Sequence, residues 1–197
     1  NKPEVVLVWL EGAPRKGVGP HDVAISLVKA VFDNGFVKNK VLEFAGPGVA
    51  ELSIYDRLTT SNMAIEAGAK NGIFPVDDIT RAYVENRVTR PWTAYEADPD
   101  AEYERTIEIN LDTTDCTVAY PHLPENAHSA RDGKEIAIDQ IVIGSCTNGQ
   151  LPDLAAAAAV LKGRHLAKGV RGIVIPATMQ VYREAMRLGY TEQFMDA

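Results

Sequence analysis

Short runs of apolar, often β-branched residues alternate along the first ninety residues with longer segments in which apolar residues recur every three or four positions. The runs are typical of strands and the longer segments of helices. Strand-like runs and helical segments follow one another in the order 4–9, 20–34, 40–44, 56–69, 72–74 and 77–87. Pro20 and Asp77 are residues that commonly start helices. This alternation predicts a sheet whose strands are joined by helical crossovers.

The pattern changes between 90 and 103, where prolines, acidic residues and aromatic residues replace the regular spacing. We interpret this segment as a connection between a first α/β unit, 1–89, and a second unit, 104–197.

The second unit mixes strands and helices again. Its predicted elements are a half-exposed strand at 104–111, a loop at 118–130, buried strands at 141–143 and 172–175, and helices from 152 and at 178–188. We therefore expect an α/β fold of two three-layer α/β/α units with mainly parallel sheets.

Composition narrows the class of protein. The chain has 197 residues and a net charge of −7, which argues against a nucleic-acid partner. It contains no apolar run near the ~20 residues of a membrane span, so no membrane partner is expected. Two cysteines form no disulfide framework, and a cytoplasmic location is expected. Because the chain starts with Asn1 and stops without a helix-capping signal, we expect a fragment.

The clearest candidate for chemistry is Cys146, in a turn between the apolar strand 141–143 and the helix from Pro152. Open α/β sheets bind ligands where strands end, and a helix N-terminus favours thiolate over thiol. The sulfur is therefore a candidate nucleophile or metal ligand, or else a small buried side chain. Three polar side chains close to it in sequence can hydrogen-bond a substrate or the sulfides of a cluster: Ser145, Thr147 and Asn148.

A second candidate pair is Asn62 and Glu66, four residues apart in the predicted helix 56–69. This spacing places both side chains on one helix face. An amide and a carboxylate together can hold a hydroxyl group and move its proton. The spacing is equally compatible with an ordinary solvated face.

The remaining candidates have weaker patterns. His122 and His128 lie in a proline-rich loop without a strong metal motif, and we assign them no catalytic role. Cys116 is interpreted as structural. The glycines of 46–48 lack the lysine and spacing of a phosphate loop.

Two stretches resemble motifs of the aconitase superfamily, in its branch of isopropylmalate dehydratase and homoaconitase large subunits. Residues 144–149, Gly-Ser-Cys-Thr-Asn-Gly, are similar to the first cluster-ligand motif. Residues 59–69, Thr-Thr-Ser-Asn-Met-Ala-Ile-Glu-Ala-Gly-Ala, are similar to a helix that faces the cluster. Residues 118–126 also resemble a segment of some large subunits. The resemblance extends from about Val5 to the end of the chain.

The resemblance implies a hydro-lyase that dehydrates and rehydrates a malate-type hydroxy acid, such as 3-isopropylmalate in leucine biosynthesis. Members hold a [4Fe-4S] cluster through three cysteines, and an open iron acts as a Lewis acid. Cys146 would be the first cluster ligand, Glu66 would handle the iron-bound hydroxyl, and Asn62 would line the cluster pocket. A small swivelling subunit or domain is the implied partner.

The chain departs from the family pattern in lacking the Cys-x-x-Cys pair that supplies the other two ligands. We therefore expect a central fragment that is inactive and without a cluster in isolation; a Cys-x-x-Cys pair soon after Ala197 in the full-length sequence would select this interpretation. Two alternatives stay open: an acyl-transfer enzyme with Cys146 as nucleophile and a histidine as base, or a non-catalytic module whose turn binds an anion.

Overall fold

The computed structural model describes residues 2–32, 35–133, 136–145 and 147–197. The chain divides into two compact units, 1–134 and 135–197. The first unit is built on a sheet of four parallel strands in the order β3-β2-β1-β4. These strands are β1 (Val5–Glu11), β2 (Val41–Ala45), β3 (Asn71–Ile73) and β4 (Arg105–Asn110).

Three helices connect these strands, and each starts where local chemistry favours a start. They are α1 (Pro20–Phe32), α2 (Ile54–Met63) and α3 (Asp78–Glu85). Ser53 caps α2 by accepting from the Asp56 N–H, and Asp77 caps α3 by accepting from the Thr80 N–H. Short 3₁₀ helices lie at Pro47–Glu51 and Ala130–Gly133.

The main core lies between this sheet and its helices. Alternate residues of β1, namely Val6, Val8 and Leu10, are fully buried, whereas Leu7 and Trp9 on the other face are half-buried. Because crossovers between parallel strands are right-handed, α1 and α2 lie on the same face of the sheet, where they pack against each other.

The segment predicted as a loop at 118–130 contains a short antiparallel hairpin, so that prediction was wrong. Its strands are β5 (Thr117–Ala119) and β6 (Ala127–Ser129). The hairpin is stabilised by contacts with α1 rather than by the intrinsic strand propensity of its residues. Buried Ala127 packs in a cluster with Ala24 and Ile25, and the Lys29 Nζ donates to the Ala127 carbonyl oxygen at 2.7 Å. In three-residue strands near prolines, the alternation of apolar and polar residues is too short to be recognised in the sequence.

The second unit contains a parallel pair of strands and three helices. The strands are β7 (Gln140–Gly144) and β8 (Arg171–Ile175), and the helices are α4 (Leu151–Leu161), α5 (Met179–Arg187) and α6 (Tyr190–Asp196). Both strands were predicted to be buried, yet Val142 is 51% and Ile175 is 45% exposed. The two side chains lie on the same face of the strand pair, since Val142 is opposite Ile173 and Ile175 lies two residues further along β8. This face is partly open among the described residues of the unit.

The α/β class with a mainly parallel sheet, predicted from the sequence, is confirmed. The predicted division at 90–103 differs from the structure, which divides the chain after 134. The reason is that β4 pairs along the whole of its length with β1, from Val6 opposite Arg105 to Glu11 opposite Asn110. The segment 90–103 therefore leads from α3 to the far edge of the same sheet. In the described part of the chain, no helix is long and apolar enough to cross a membrane.

Candidate functional site

Asn62 and Glu66 lie at and just beyond the C-terminal end of α2, in the first unit. Both residues are exposed, so a substrate or another part of a longer protein can reach them. The neighbours Met63, Ala64 and Ala67 are buried and attach this region to the core. The two candidate side chains are therefore exposed to solvent, on a segment that its buried neighbours attach to the core.

The predicted helix 56–69 ends earlier than expected, at Met63. From Ala64 the backbone continues as tighter turns, in which the Glu66 N–H donates to the Met63 carbonyl at 3.0 Å and the Gly68 N–H to the Ile65 carbonyl at 2.9 Å. Gly68 then adopts a positive φ of 81° and closes the segment. Glu66 therefore belongs to this turn and not to the helix that carries Asn62.

Arg57 fixes the start of α2. Its side chain is 2% exposed and forms a bidentate pair with Asp77, with Nη–Oδ distances of 2.6 and 2.7 Å. It also donates to the carbonyl oxygens of Leu52 and Val49, at 3.1 and 2.9 Å. The hydrogen bonds from Arg57 to the Asp77 carboxylate hold the pKa of Asp77 at about 2, below its ordinary 3.8. The Arg57 side chain thus joins α2 to the preceding 3₁₀ helix and to the start of α3.

The second candidate region is the turn between β7 and α4. Gly144 and Gly149 both have positive φ values, 103° and 107°. A Cβ on Gly144 would collide with the Ile175 carbonyl oxygen, and one on Gly149 would lie 2.6 Å from the same oxygen. Glycine at both positions therefore allows the turn to fold back against the end of β8. The Ala177 N–H closes this contact by donating to the Gly149 carbonyl at 2.8 Å.

The polar side chains of the turn have hydrogen-bond partners within the second unit. The hydroxyls of Ser145 and Thr147 are 3.3 Å apart, and Ser145 is exposed with a φ of 137°, unusual for a residue other than glycine. The Asn148 amide donates to Asp153 of α4 at 3.2 Å. Cys146 itself, the predicted cluster ligand, lies outside the described residues.

The weaker candidates have ordinary structural contacts. His128 stacks on Tyr120 with ring centroids 4.5 Å apart, and its Nε2 lies 3.0 Å from the Asn126 Oδ1. His122 is exposed in the turn of the hairpin. Cys116 is a free cysteine whose Sγ donates to the Gly17 carbonyl at 3.4 Å, in keeping with a structural role.

A polar cavity of about 360 Å³ lies at the carboxyl end of β4 and contains neither Asn62 nor Glu66. Several of its polar groups bond to one another. The Thr114 hydroxyl donates to the Asn110 carbonyl at 3.2 Å, and the Ser129 hydroxyl to the Asp115 carboxylate at 3.2 Å. We assign it no ligand.

The family model of aconitase (aconitate hydratase) matches residues 1–197, the whole of the sequence. The chain belongs to the aconitase family. Two regions that carry the family resemblance, 59–69 and 144–149, are thus the exposed end of α2 with its following turn and the glycine-flanked turn before α4.

Curated aconitase-family relatives match almost the full chain. A 3-isopropylmalate dehydratase large subunit from Lachnoclostridium phytofermentans is 48% identical over 195 residues, which are 99% of this chain and 46% of that protein. One from Clostridium kluyveri is 49% identical over the same shares. A 2,3-dimethylmalate dehydratase large subunit from Eubacterium barkeri is 49% identical over 95% of this chain and 45% of its own length. The chain thus spans about half the length of these relatives.

Two residues that contribute to the geometry were missed from the sequence. Arg57 carried no signal, because one arginine in an amphipathic helix is usually a solvated side chain. Asp153 did carry one, since an acidic residue in a helix first turn commonly bonds back to backbone N–H groups before the helix.

Proposed function

We propose that the complete protein containing this chain is a hydro-lyase that dehydrates and rehydrates an alkyl-substituted malate. The observation that carries the proposal is 48–49% identity, across nearly the whole chain, to large subunits named for 3-isopropylmalate and 2,3-dimethylmalate. Both named substrates are malates with alkyl substituents. The family membership supports this reading over a cysteine nucleophile or an anion-binding module.

The chain can supply one of the three cysteine ligands of a [4Fe-4S] cluster, but not all three. Three thiolates are needed, and the sequence has two cysteines, of which Cys116 bonds to the Gly17 carbonyl in the first unit. Among residues 2–32, 35–133, 136–145 and 147–197, no group of three or more histidine, cysteine or acidic residues could hold a metal. We propose that Cys146 supplies one thiolate and that other parts of the complete protein supply the rest.

When bound, the cluster supplies a Lewis-acidic iron for the substrate's hydroxyl and carboxylate. The residues of the 144–149 turn suit a place beside it, because Ser145, Thr147 and Asn148 offer hydroxyl and amide groups to sulfides or to substrate oxygens. In our proposal these groups orient the substrate and contribute no proton transfer.

Glu66 is proposed as the proton donor to the leaving hydroxyl. Dehydration breaks a C–O bond and a C–H bond on the neighbouring carbon and forms a C=C bond. The Glu66 carboxyl gives a proton to the departing oxygen, which leaves as water, and a base in another part of the complete protein accepts the proton of the C–H bond. Hydration reverses both transfers. Asn62 holds the same oxygen through its amide. The exposure of both residues supports these roles, since each must be free to meet the substrate.

A partner subunit is part of the proposal. The relatives are named as large subunits, so we propose that the complete protein works with a small subunit or an equivalent swivelling domain.

The proposal is tested with the complete protein and its small subunit, reconstituted with iron and sulfide without oxygen. Formation of the conjugated alkene from substituted malates is followed by ultraviolet absorbance. Glu66→Gln should lower kcat about 10²-fold, the usual scale for a lost proton-transfer group, and should retain the cluster. Glu51→Gln, at another exposed carboxylate of the first unit, should match the parent. No alkene from any substituted malate would contradict the activity, and equal rates for both variants would contradict the role of Glu66.

A further inference from the structure

Asp153 in the first turn of α4 connects the helix to the turn that carries Cys146. Its Oδ1 accepts from the Asn148 side-chain amide at 3.2 Å. Its Oδ2 accepts from the Gly149 and Gln150 N–H groups at 3.0 and 2.9 Å. One carboxylate therefore engages three consecutive residues on the helix side of the turn.

These contacts determine how Asn148 is oriented. An ionised carboxylate can only accept hydrogen bonds, so the amide nitrogen of Asn148 must face Asp153 and its carbonyl oxygen must point elsewhere. The backbone of Gly149 is fixed as well, by Asp153 on its N–H and by the Ala177 N–H on its carbonyl oxygen. The turn is thus anchored to both α4 and the segment after β8, at positions two and three residues beyond Cys146.

An ordinary helix cap in the same unit shows the contrast. Thr178 accepts one hydrogen bond from the Val181 N–H, at 3.1 Å, and so serves the helix that it precedes. Asp153 lies inside its helix and reaches back to a side chain and two N–H groups before it. Its contacts therefore order the turn as well as the helix start.

We propose that Asp153 is a positioning residue that fixes the turn 144–149 so that Cys146 is presented to the metal cluster. The inference rests on the proposed function for its purpose, but the restraint on the turn is a property of this chain alone. Asp153 acts through Asn148 and the two N–H groups and does not touch the cluster.

The first test uses the 197-residue chain with Cys116→Ser, so that Cys146 is its one thiol. Alkylation by iodoacetamide should be about tenfold faster in Asp153→Ala, the factor expected when a net hydrogen bond to a charged group no longer opposes local opening. Asp153→Asn keeps one acceptor oxygen and should lie between. Thr178→Ala removes a helix cap that makes a similar contribution to stability elsewhere in the unit, and its alkylation rate should equal that of the parent.

The second test uses the complete protein reconstituted with its cluster, and measures iron release to a chelator. Asp153→Ala should release iron faster than the parent, whereas Thr178→Ala should not. Rates for Asp153→Ala equal to those for Thr178→Ala in either test would overturn the proposal. Equal acceleration in the alanine and asparagine variants would also overturn it, because loss of charge alone would then explain the effect. If the parent protein binds no iron, the proposed function fails, and the alkylation test still decides the role of Asp153.

Discussion

Replacing Arg57 by methionine should destabilise the first unit strongly. The change preserves much of the apolar stem but removes the guanidinium from a site that is 2% exposed. The Leu52 carbonyl loses a donor, whereas the Val49 carbonyl keeps the Leu52 N–H at 3.1 Å, and Asp77 loses its bidentate partner. A buried acceptor left unpaired costs about 1–3 kcal/mol, and breaking a buried ion pair about 3–5 kcal/mol. Because Asp77 is 35% exposed and regains water, we expect about 3 kcal/mol.

Tryptophan fluorescence during urea unfolding measures this loss. Both tryptophans, Trp9 and Trp92, lie in the first unit, so the signal reports that unit. With an m-value of about 1.5–3 kcal/mol/M, the midpoint should fall by roughly 1–2 M. Arg131→Ala breaks a surface pair in which Arg131 is 80% exposed and should leave the midpoint unchanged. Equal midpoints for the two variants would refute the reasoning.

Three further outcomes are expected. Since the pKa of Asp77 is lower in the folded state, its ionised carboxylate stabilises the folded protein fully above about pH 5, and this stabilisation is lost from pH 4 to 2. The urea midpoint of Arg57→Met should not show this loss at acidic pH. The same pH dependence in the variant and the parent would contradict the pairing. Gly144→Ala should destabilise the second unit by about 1–3 kcal/mol in circular dichroism, and more than Gly163→Ala, where no atom lies near the added Cβ. The isolated 197-residue chain, given iron and sulfide without oxygen, should form no stable [4Fe-4S] cluster; cluster absorbance would contradict the ligand count.

The sequence predicts well what depends on local pattern. Alternating strands and amphipathic helices indicated the parallel α/β class, and the start of α3 was predicted from Asp77, which caps it in the structure. The turn before α4 was located because an apolar run, glycines and Pro152 follow one another within a few residues.

Features that depend on distant partners could not be predicted in the same way. The pairing of β4 with β1 joins residues about a hundred positions apart, and its absence from local pattern caused the boundary at 90–103 to be misplaced. The hairpin of β5 and β6 depends on packing against α1. Helix α2 ends at Met63 because tight turns follow it and Gly68 closes them. This end could not be predicted, because the composition of the chain remains typical of a helix through residue 69. Tertiary context overrides propensity at each of these places.

The cluster content of matched cysteine variants tests the central claim most directly. Cys146→Ala and Cys116→Ala are prepared in the complete protein, reconstituted identically, and analysed for iron, sulfide and visible absorbance. We expect Cys116→Ala to hold the same cluster as the parent, since its thiol bonds to the Gly17 carbonyl in the first unit. Cys146→Ala should lose the cluster and with it the dehydratase activity, because one corner of the site is gone. Parental cluster content and activity in Cys146→Ala would contradict the account.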